Sequence, residues 1–377
     1  MPVTFRYARY DEYPKAASFL NEFWAKDHIY VRSKPLFDWT FNRRSEWEDD
    51  TYSFAVAEDN DEFVGILGGI PFTLNVYGKK SKGVWIVNYV IRPDHRKGSA
   101  ALQLLSTFRR APYQACIAFG INPATSAIYR VLRGQVIDEI PRHFVVLPGA
   151  TERMENLLRL AYTDWDADKI KQVAGLYKAT EIPDLAGASA ESIPSDWDSH
   201  QWPEFAAGMV GADRNSDYLK WRYLQHPCFG HRVAAVQDGS RTGLAIWRVE
   251  TIRRQTPEGR QDVDRIGRLL EFLPASPKNA RDLIAKFFQE LTAADCMGAD
   301  YYGYHGVTRG WLEEAGFPEV RPGADSRAIP SRFQPLDGKG GGIMSATFLH
   351  EGIPHCSTDR SSDWYWTKSD SDQDRPN

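Results

Sequence analysis

Val84-Trp85-Ile86-Val87-Asn88-Tyr89-Val90-Ile91 is followed closely by Arg96-Lys97-Gly98-Ser99-Ala100-Ala101, and then by the apolar stripe Ala101, Leu104, Leu105 and Phe108. The first run predicts a buried strand and the stripe predicts a helix, with a short basic glycine loop between them. Strand, loop and helix in this order present backbone N–H groups and a helix N-terminus to a phosphate. The loop has two cations but no Gly-Lys-Ser/Thr, and its spacing is too short for a dinucleotide fingerprint. That leaves a pyrophosphate held largely by backbone.

A second segment follows at a regular distance. Gln114-Ala115-Cys116-Ile117-Ala118-Phe119-Gly120 reads as another buried strand, and Asn122-Pro123 opens a helix that carries Tyr129, with Gly134 beyond it. Together, residues 50–145 resemble motifs A and B of the Gcn5-related N-acetyltransferases (GNAT). The likeness rests on the Pro93-x-x-Arg96-x-Gly98 loop, on Asn122 and on Tyr129 seven residues later. Two spacings differ from the family pattern. His95, and not Arg96, falls at the first basic position, and Gly134 comes one residue late. The resemblance implies acetyl-CoA as acyl donor, with coenzyme A contacts from Tyr89, Val90, Ile91, His95, Arg96, Lys97, Gly98, Ser99, Ala100, Ala101 and Asn122. It also implies that the strand around Asn88–Ile91 splays and offers a backbone N–H to the thioester carbonyl. No glycine marks a bulge there, so an ordinary buried strand is the plainer reading.

A chain of 377 residues exceeds one compact domain, and two domains are expected. A net charge of −4 argues against a nucleic-acid partner, which would call for a basic face. Cys116, Cys228, Cys296 and Cys356 make no metal spacing and read as reduced core thiols of a cytoplasmic protein. The first residues hold no apolar signal segment, and no run approaches the roughly 18 apolar residues of a membrane span.

The chain also repeats itself. Trp39 recurs as Trp221, Tyr129 as Trp311 and Gly134 as Gly316, all at one offset. Val233–Gln237 and Gly243–Val249 form a hairpin across Asp238-Gly239, as Tyr52–Ala57 and Phe63–Ile70 do across residues 59–62. Leu269–Leu273 stands for the coenzyme strand, and Ala280–Phe288 for its helix. The expected architecture is therefore α/β (α+β), with two tandem GNAT-like units, each a mixed central sheet flanked by helices. Residues 1–180 form the first unit, with a closing strand near His143–Leu147. Residues 181–203 form a linker, 204–350 the second unit and 351–377 a tail. In the second unit Pro277 replaces Arg96, Asn279 replaces Gly98, and Trp311 lacks the hydroxyl of Tyr129, so coenzyme binding is expected only in the first.

Several residues admit two readings. Asn122 before Pro123 suits an N-cap followed by the first helical position, and such a residue can also touch a pantetheine arm. Tyr129 is a core aromatic of an amphipathic helix or, by the resemblance, the general acid for departing thiolate. His28 is a surface or capping residue, or the base that deprotonates the amine. Asp27, Asp38 and Asn88 are candidates for contacts with the acceptor, and Trp39 for packing. The acidic run Asp370–Asp374 lacks the glycine and the glutamate of a calcium loop, so no metal is expected, and a solvated end is the default. Trp364-Tyr365-Trp366 before it should dock somewhere.

The resemblance implies an acyl-CoA-dependent N-acyltransferase of a small primary amine. The acceptor class it suggests is an amino sugar or nucleotide amino sugar of surface polysaccharide synthesis. A non-catalytic binding scaffold and a cell-wall-type aminoacyl transferase are the alternatives.

Overall fold

The computed structural model describes all residues except 1–2, 44, 48–49, 110–111, 180, 322–327, 339–341, 355–362 and 377. The first half runs β1 (Thr4–Tyr7), α1 (Tyr13–Phe23), α2 (Ile29–Arg32), α3 (Lys34–Phe41), β2 (Phe54–Asp59), β3 (Glu62–Val76), β4 (Lys79–Ile91), α4 (Ala100–Arg109), β5 (Ala115–Ile121), α5 (Pro123–Val131), β6 (Gln135–Ile137), β7 (Arg142–Val146), α6 (Thr151–Ala161) and α7 (Ala167–Leu176). The second runs β8 (Ser189–Ala190), α8 (Trp202–Ala206), β9 (Val210–Ala212), α9 (Ser216–Leu219), β10 (Arg232–Asp238), β11 (Arg241–Thr256), β12 (Gly259–Leu273), α10 (Pro277–Ala293), β13 (Gly298–Tyr304), α11 (Gly306–Glu314), β14 (Arg332–Phe333), β15 (Leu336–Asp337), β16 (Met344–Leu349) and β17 (Trp364–Thr367).

One mixed sheet runs through both halves in the order β6-β16-β5-β4-β3-β9-β17-β13-β12-β11-β10-β8. Each half contributes an antiparallel meander, β2-β3-β4 and β10-β11-β12, that ends beside a parallel neighbour, β5 and β13 respectively. Parallel neighbours need a crossover, and α4 and α10 supply it. Helix α4 buries Ala100, Leu104, Leu105 and Phe108, with Phe108 close over Gly69 of β3.

The halves exchange strands. β7 is not the closing strand of the first unit: it pairs with β13 of the second. β16, from the second half, returns to lie between β5 and β6. Pairing across so many residues follows from the buried faces of the sheet and has no local signal. One apolar cluster accordingly contains Phe37, Trp85 and Phe119 from the first half together with Leu244, Leu270 and Trp366 from the second.

Trp39 and Trp221, 182 residues apart, stack at 4.9 Å, and each donates its indole N–H to the other's carbonyl at 3.2 and 3.4 Å. The repeat read from the sequence is thus a local two-fold contact.

The acidic end is not a solvated tail. β17 is fully buried between β9 and β13, and Asp370, Ser371, Asp372 and Asp374 are buried as well. Cys116 and Cys296 are core thiols, but Cys228 is exposed, and Cys356 lies outside the described residues. Among the described residues, no helix is long and apolar enough to cross a membrane and no group of His, Cys, Asp or Glu could hold a metal ion.

Candidate active site

β4 and β5 pair only from Gly83↔Ala115 to Ile86↔Ala118. Beyond that point they part. On its other edge β4 pairs with β3 at Val87↔Gly68 and Val90↔Ile66, so Asn88 and Tyr89 together face Leu67. This is a β-bulge, with Asn88 in the left-handed region at φ 52°. The expectation of an unbroken strand fails because asparagine, like glycine, tolerates that conformation. A bulge bends its strand, and the bend opens a V between β4 and β5.

The V is a cleft of about 110 Å³ lined by Asn88, Tyr89, Asn122 and Tyr129 from motifs A and B, and by Trp24 and Asp372 from opposite ends of the chain. Asn88 is 6% exposed, and neither its carbonyl oxygen nor its amide nitrogen has a protein partner. Leaving such a group unpaired costs about 1–3 kcal/mol, so this side chain asks for a ligand. The Tyr89 hydroxyl donates to the Ala101 carbonyl at 2.5 Å, which ties the bulge to the first turn of α4. Val90 and Ile91 are buried behind it.

The loop after β4 forms a 3-10 turn at Pro93–His95 and enters α4 through Ser99, whose carbonyl accepts the Gln103 N–H at 3.0 Å. The amides of Ala100, Ala101 and Leu102 therefore have no acceptor within the helix. The Ser99 hydroxyl accepts from Gln103 Nε2 at 2.7 Å. A Cβ on Gly98 would meet nothing nearer than the His95 carbonyl, at 3.9 Å. Gly98 leaves an open approach to the helix end. The Arg96 Nε is tied back to the Ile91 carbonyl at 3.0 Å, and Lys97 is exposed. His95 lies between Asp94 and Asp59, at 3.0 and 3.3 Å, and Asp94 raises its pKa.

Asn122 caps α5, accepting from the Thr125 N–H at 2.9 Å, with Pro123 at the first helical position. Tyr129 stacks obliquely on Phe348 at 5.5 Å, and burial raises its pKa, so its phenol keeps its proton at neutral pH.

The other candidates lie apart from the cleft. His28 caps α2, its Nδ1 accepting the Tyr30 N–H at 3.3 Å, and lines a neighbouring cavity with Asp27. Burial, then Arg375 and Arg32, push its pKa down to about 3, which makes it a weak proton acceptor. Asp38 pairs with Lys34 at 2.6 Å and accepts from the Tyr52 hydroxyl at 2.6 Å. Both contacts are with residues of its own helix and of the adjoining strand region, away from the cleft.

The second half keeps the same frame and closes it. β12 and β13 pair from Ile266↔Gly298 to Leu269↔Tyr301, and β12 carries an extra residue, Leu270, against β11. The gap is filled by β17: the Tyr365 hydroxyl accepts from the Phe272 N–H at 2.9 Å and lies 2.5 Å from Glu271 Oε1. Arg214, fully buried, donates to Glu271 at 3.0 Å and to Asp370 at 2.7 Å. Ser276 caps α10 by accepting the Asn279 N–H at 3.1 Å, and Asn279 Oδ1 accepts from Ala275 at 3.0 Å. The helix end that is open in the first half is occupied in the second by its own side chains.

Residues 4–131, about a third of the chain, match the model of acetyltransferase (GNAT) domains. Over more than nine-tenths of its length the chain is similar in fold to several larger solved structures. It superposes on an N-myristoyltransferase of Saccharomyces cerevisiae with bound myristoyl-CoA at a TM-score of 0.56 and 12% identity, covering 92% of this chain and 84% of that one. A GCN5-related N-acetyltransferase from Anabaena variabilis gives 0.53 and 11%, over 91% and 72% of the two chains. A probable N-acyltransferase from Enterococcus faecalis gives 0.52 and 9%, over 93% and 73%. No curated protein matches in sequence.

Asp372 and Trp24 escaped the sequence reading. Nothing local marks either as a cleft residue, because the cleft exists only once the end of the chain has docked.

Proposed function

We propose that the chain is an acyl-CoA-dependent N-acyltransferase that moves an acetyl group from acetyl-CoA to a small primary amine, an amino sugar or nucleotide amino sugar. The observation that carries this is the bulged β4: an unpaired, buried Asn88 amide and the open first turn of α4 lie on one continuous segment, joined by the Tyr89–Ala101 hydrogen bond. The α4 amides and the Gly98 approach suit a pyrophosphate. The V suits a pantetheine arm laid alongside the free edges of two diverging strands.

Chemistry then needs three groups. Bulge amides and the Asn88 side chain are positioned to stabilise the oxyanion formed when the amine nitrogen attacks the thioester carbonyl. Tyr129, protonated and in the cleft, gives its proton to the leaving thiolate as the C–S bond breaks. Asp372, the carboxylate that lines the cleft, takes the proton from the amine, directly or through water. It replaces His28 in that role because His28 faces the neighbouring cavity and resists protonation. The remaining rate comes from holding amine and thioester together.

Thermal or urea unfolding with acetyl-CoA tests the reading. At a hundred times Kd, stability should rise by about 2.7 kcal/mol. Gly98→Pro, which removes an amide and fixes φ, should abolish the rise. No stabilisation of the natural protein would refute the proposal, and stabilisation without transfer to any amine would leave a binding scaffold.

A further inference from the structure

Next to the cleft lies a cavity of about 660 Å³, and Trp24 and Arg375 line both. Its charged lining is lopsided: Lys26, Arg32, Arg260, Arg332 and Arg375 against Asp27 alone. The chain as a whole carries a net charge of −4, so five cations in one cavity run against its overall sign. They come from four separate segments: the α1–α2 turn with helix α2, the tip of the β11–β12 hairpin, β14, and the end of the chain. Among the described residues, Lys26, Arg32, Arg260 and Arg332 pair with no carboxylate. Arg375 alone has an acidic partner, Asp372, at 2.8 Å. Arg32 uses one N–H, on Nε, for the Asp27 carbonyl at 2.8 Å, which orients its guanidinium and leaves the other donors.

This is not the seat offered to a coenzyme pyrophosphate. No residue of Arg96–Ala101 or of α4 lines it. The cavity instead continues the cleft past Trp24, on the side of the α1–α2 turn. His28 shows the field in the cavity: besides burial, Arg375 and Arg32 act to keep its ring uncharged.

We infer that this cavity holds an anionic group of the acceptor, a phosphate or diphosphate ester, while the acceptor's amine reaches the cleft past Trp24. Guanidinium forks match phosphate oxygens in pairs, and several of them converging without acidic partners select an ester of higher charge. The assignment rests on the acyltransferase reading and narrows it: the substrate is a phosphorylated amine. It also gives the second half a task. Arg260 and Arg332 belong to that half, so the lobe whose own gap is filled would complete the substrate seat of the other.

The test uses the whole chain saturated with coenzyme A, so that the α4 site is occupied. Inorganic pyrophosphate is titrated by calorimetry into the natural protein and into a double variant, Arg260→Gln with Arg332→Gln. Both positions are exposed, so folding should survive; circular dichroism and an unchanged coenzyme A affinity verify this. One pyrophosphate should bind, and the double variant should weaken it at least tenfold. Absence of binding, or equal binding in the variant, overturns the anion seat. The second arm compares acetyl transfer to glucosamine and to glucosamine 1-phosphate. The phosphate ester should have at least a tenfold higher kcat/KM, lost in the double variant, and equal values for the two amines overturn the assignment to the acceptor. If pyrophosphate binds as expected and no amine is acetylated, the anion seat stands and the acyltransferase reading falls.

Discussion

Replacing Asn88 by glycine should separate stability from activity. In the ligand-free protein the Asn88 amide is 6% exposed with two unpaired polar ends, an arrangement that costs about 1–3 kcal/mol. Glycine removes both ends and accepts the φ of 52° without strain. Against this stands about 0.5–1 kcal/mol of added freedom in the unfolded chain. The Asn88→Gly protein should therefore be as stable as the natural one or up to about 2 kcal/mol more stable. Transfer should suffer. Loss of one hydrogen bond worth about 1.4 kcal/mol lowers kcat/KM about tenfold, and loss of an oxyanion donor lowers it further. Urea unfolding without ligand and initial rates of acetyl transfer measure the two sides. If the variant loses more than about 1 kcal/mol of stability while transfer is unchanged, Asn88 is a structural residue and the reasoning fails.

Tyr129→Phe should lower kcat by roughly a hundredfold with little change in coenzyme A affinity, which a pre-steady-state assay with chemistry rate-limiting can establish. Arg214→Met strands Glu271 and Asp370 in the interior and should cost about 3–5 kcal/mol in urea unfolding, whereas an exposed pair such as Lys34–Asp38 should cost less than about 1. His143, buried and pushed down to about 4, binds fewer protons folded than unfolded below its ordinary pKa of 6.5. Its contribution is complete above about pH 6.5 and is lost as pH falls toward 4. His143 should account for about 2–3 kcal/mol of the stability lost between pH 7 and pH 4.5, the part that His143→Gln removes, beside the contributions of His28, His226, His231 and His305. A fragment ending near Pro183 lacks β9, β16 and β17, leaving β5 and β3 with bare edges, and should show no cooperative unfolding transition by circular dichroism.

What the sequence disclosed is what depends on neighbours along the chain. The apolar run into Arg96–Ala101, the Asn122-Pro123 cap and the meander hairpins are all local patterns, and each has its counterpart in the structure; the recurrence of Trp39 as Trp221 is legible only as an offset, and it too has one. The exchange of β7 and β16 depends on which sheet edge each strand meets, and alternation within a strand does not encode that. The Asn88 bulge hid because a single asparagine inside an apolar run carries no fixed backbone signature, although it tolerates the left-handed region. The end of the chain misled most: Asp370–Asp374 has the composition of a solvated tail, yet Arg214, Tyr218, Arg248 and Arg375 partner its acids. All of these except Arg375 stand far away in sequence.

The strand exchange has a consequence for how this chain can change over generations. Each lobe borrows one strand from the other, so neither can be deleted without unravelling its neighbour. A chain of this kind resembles a swapped dimer whose subunits have been fused. In a free dimer every substitution strikes both sites at once; after fusion, one lobe can accumulate Pro277, Asn279 and Trp311 while the other keeps Arg96, Gly98 and Tyr129. The lobe whose gap is filled is held against loss by the strand it lends to its neighbour, and so stays available to be reshaped.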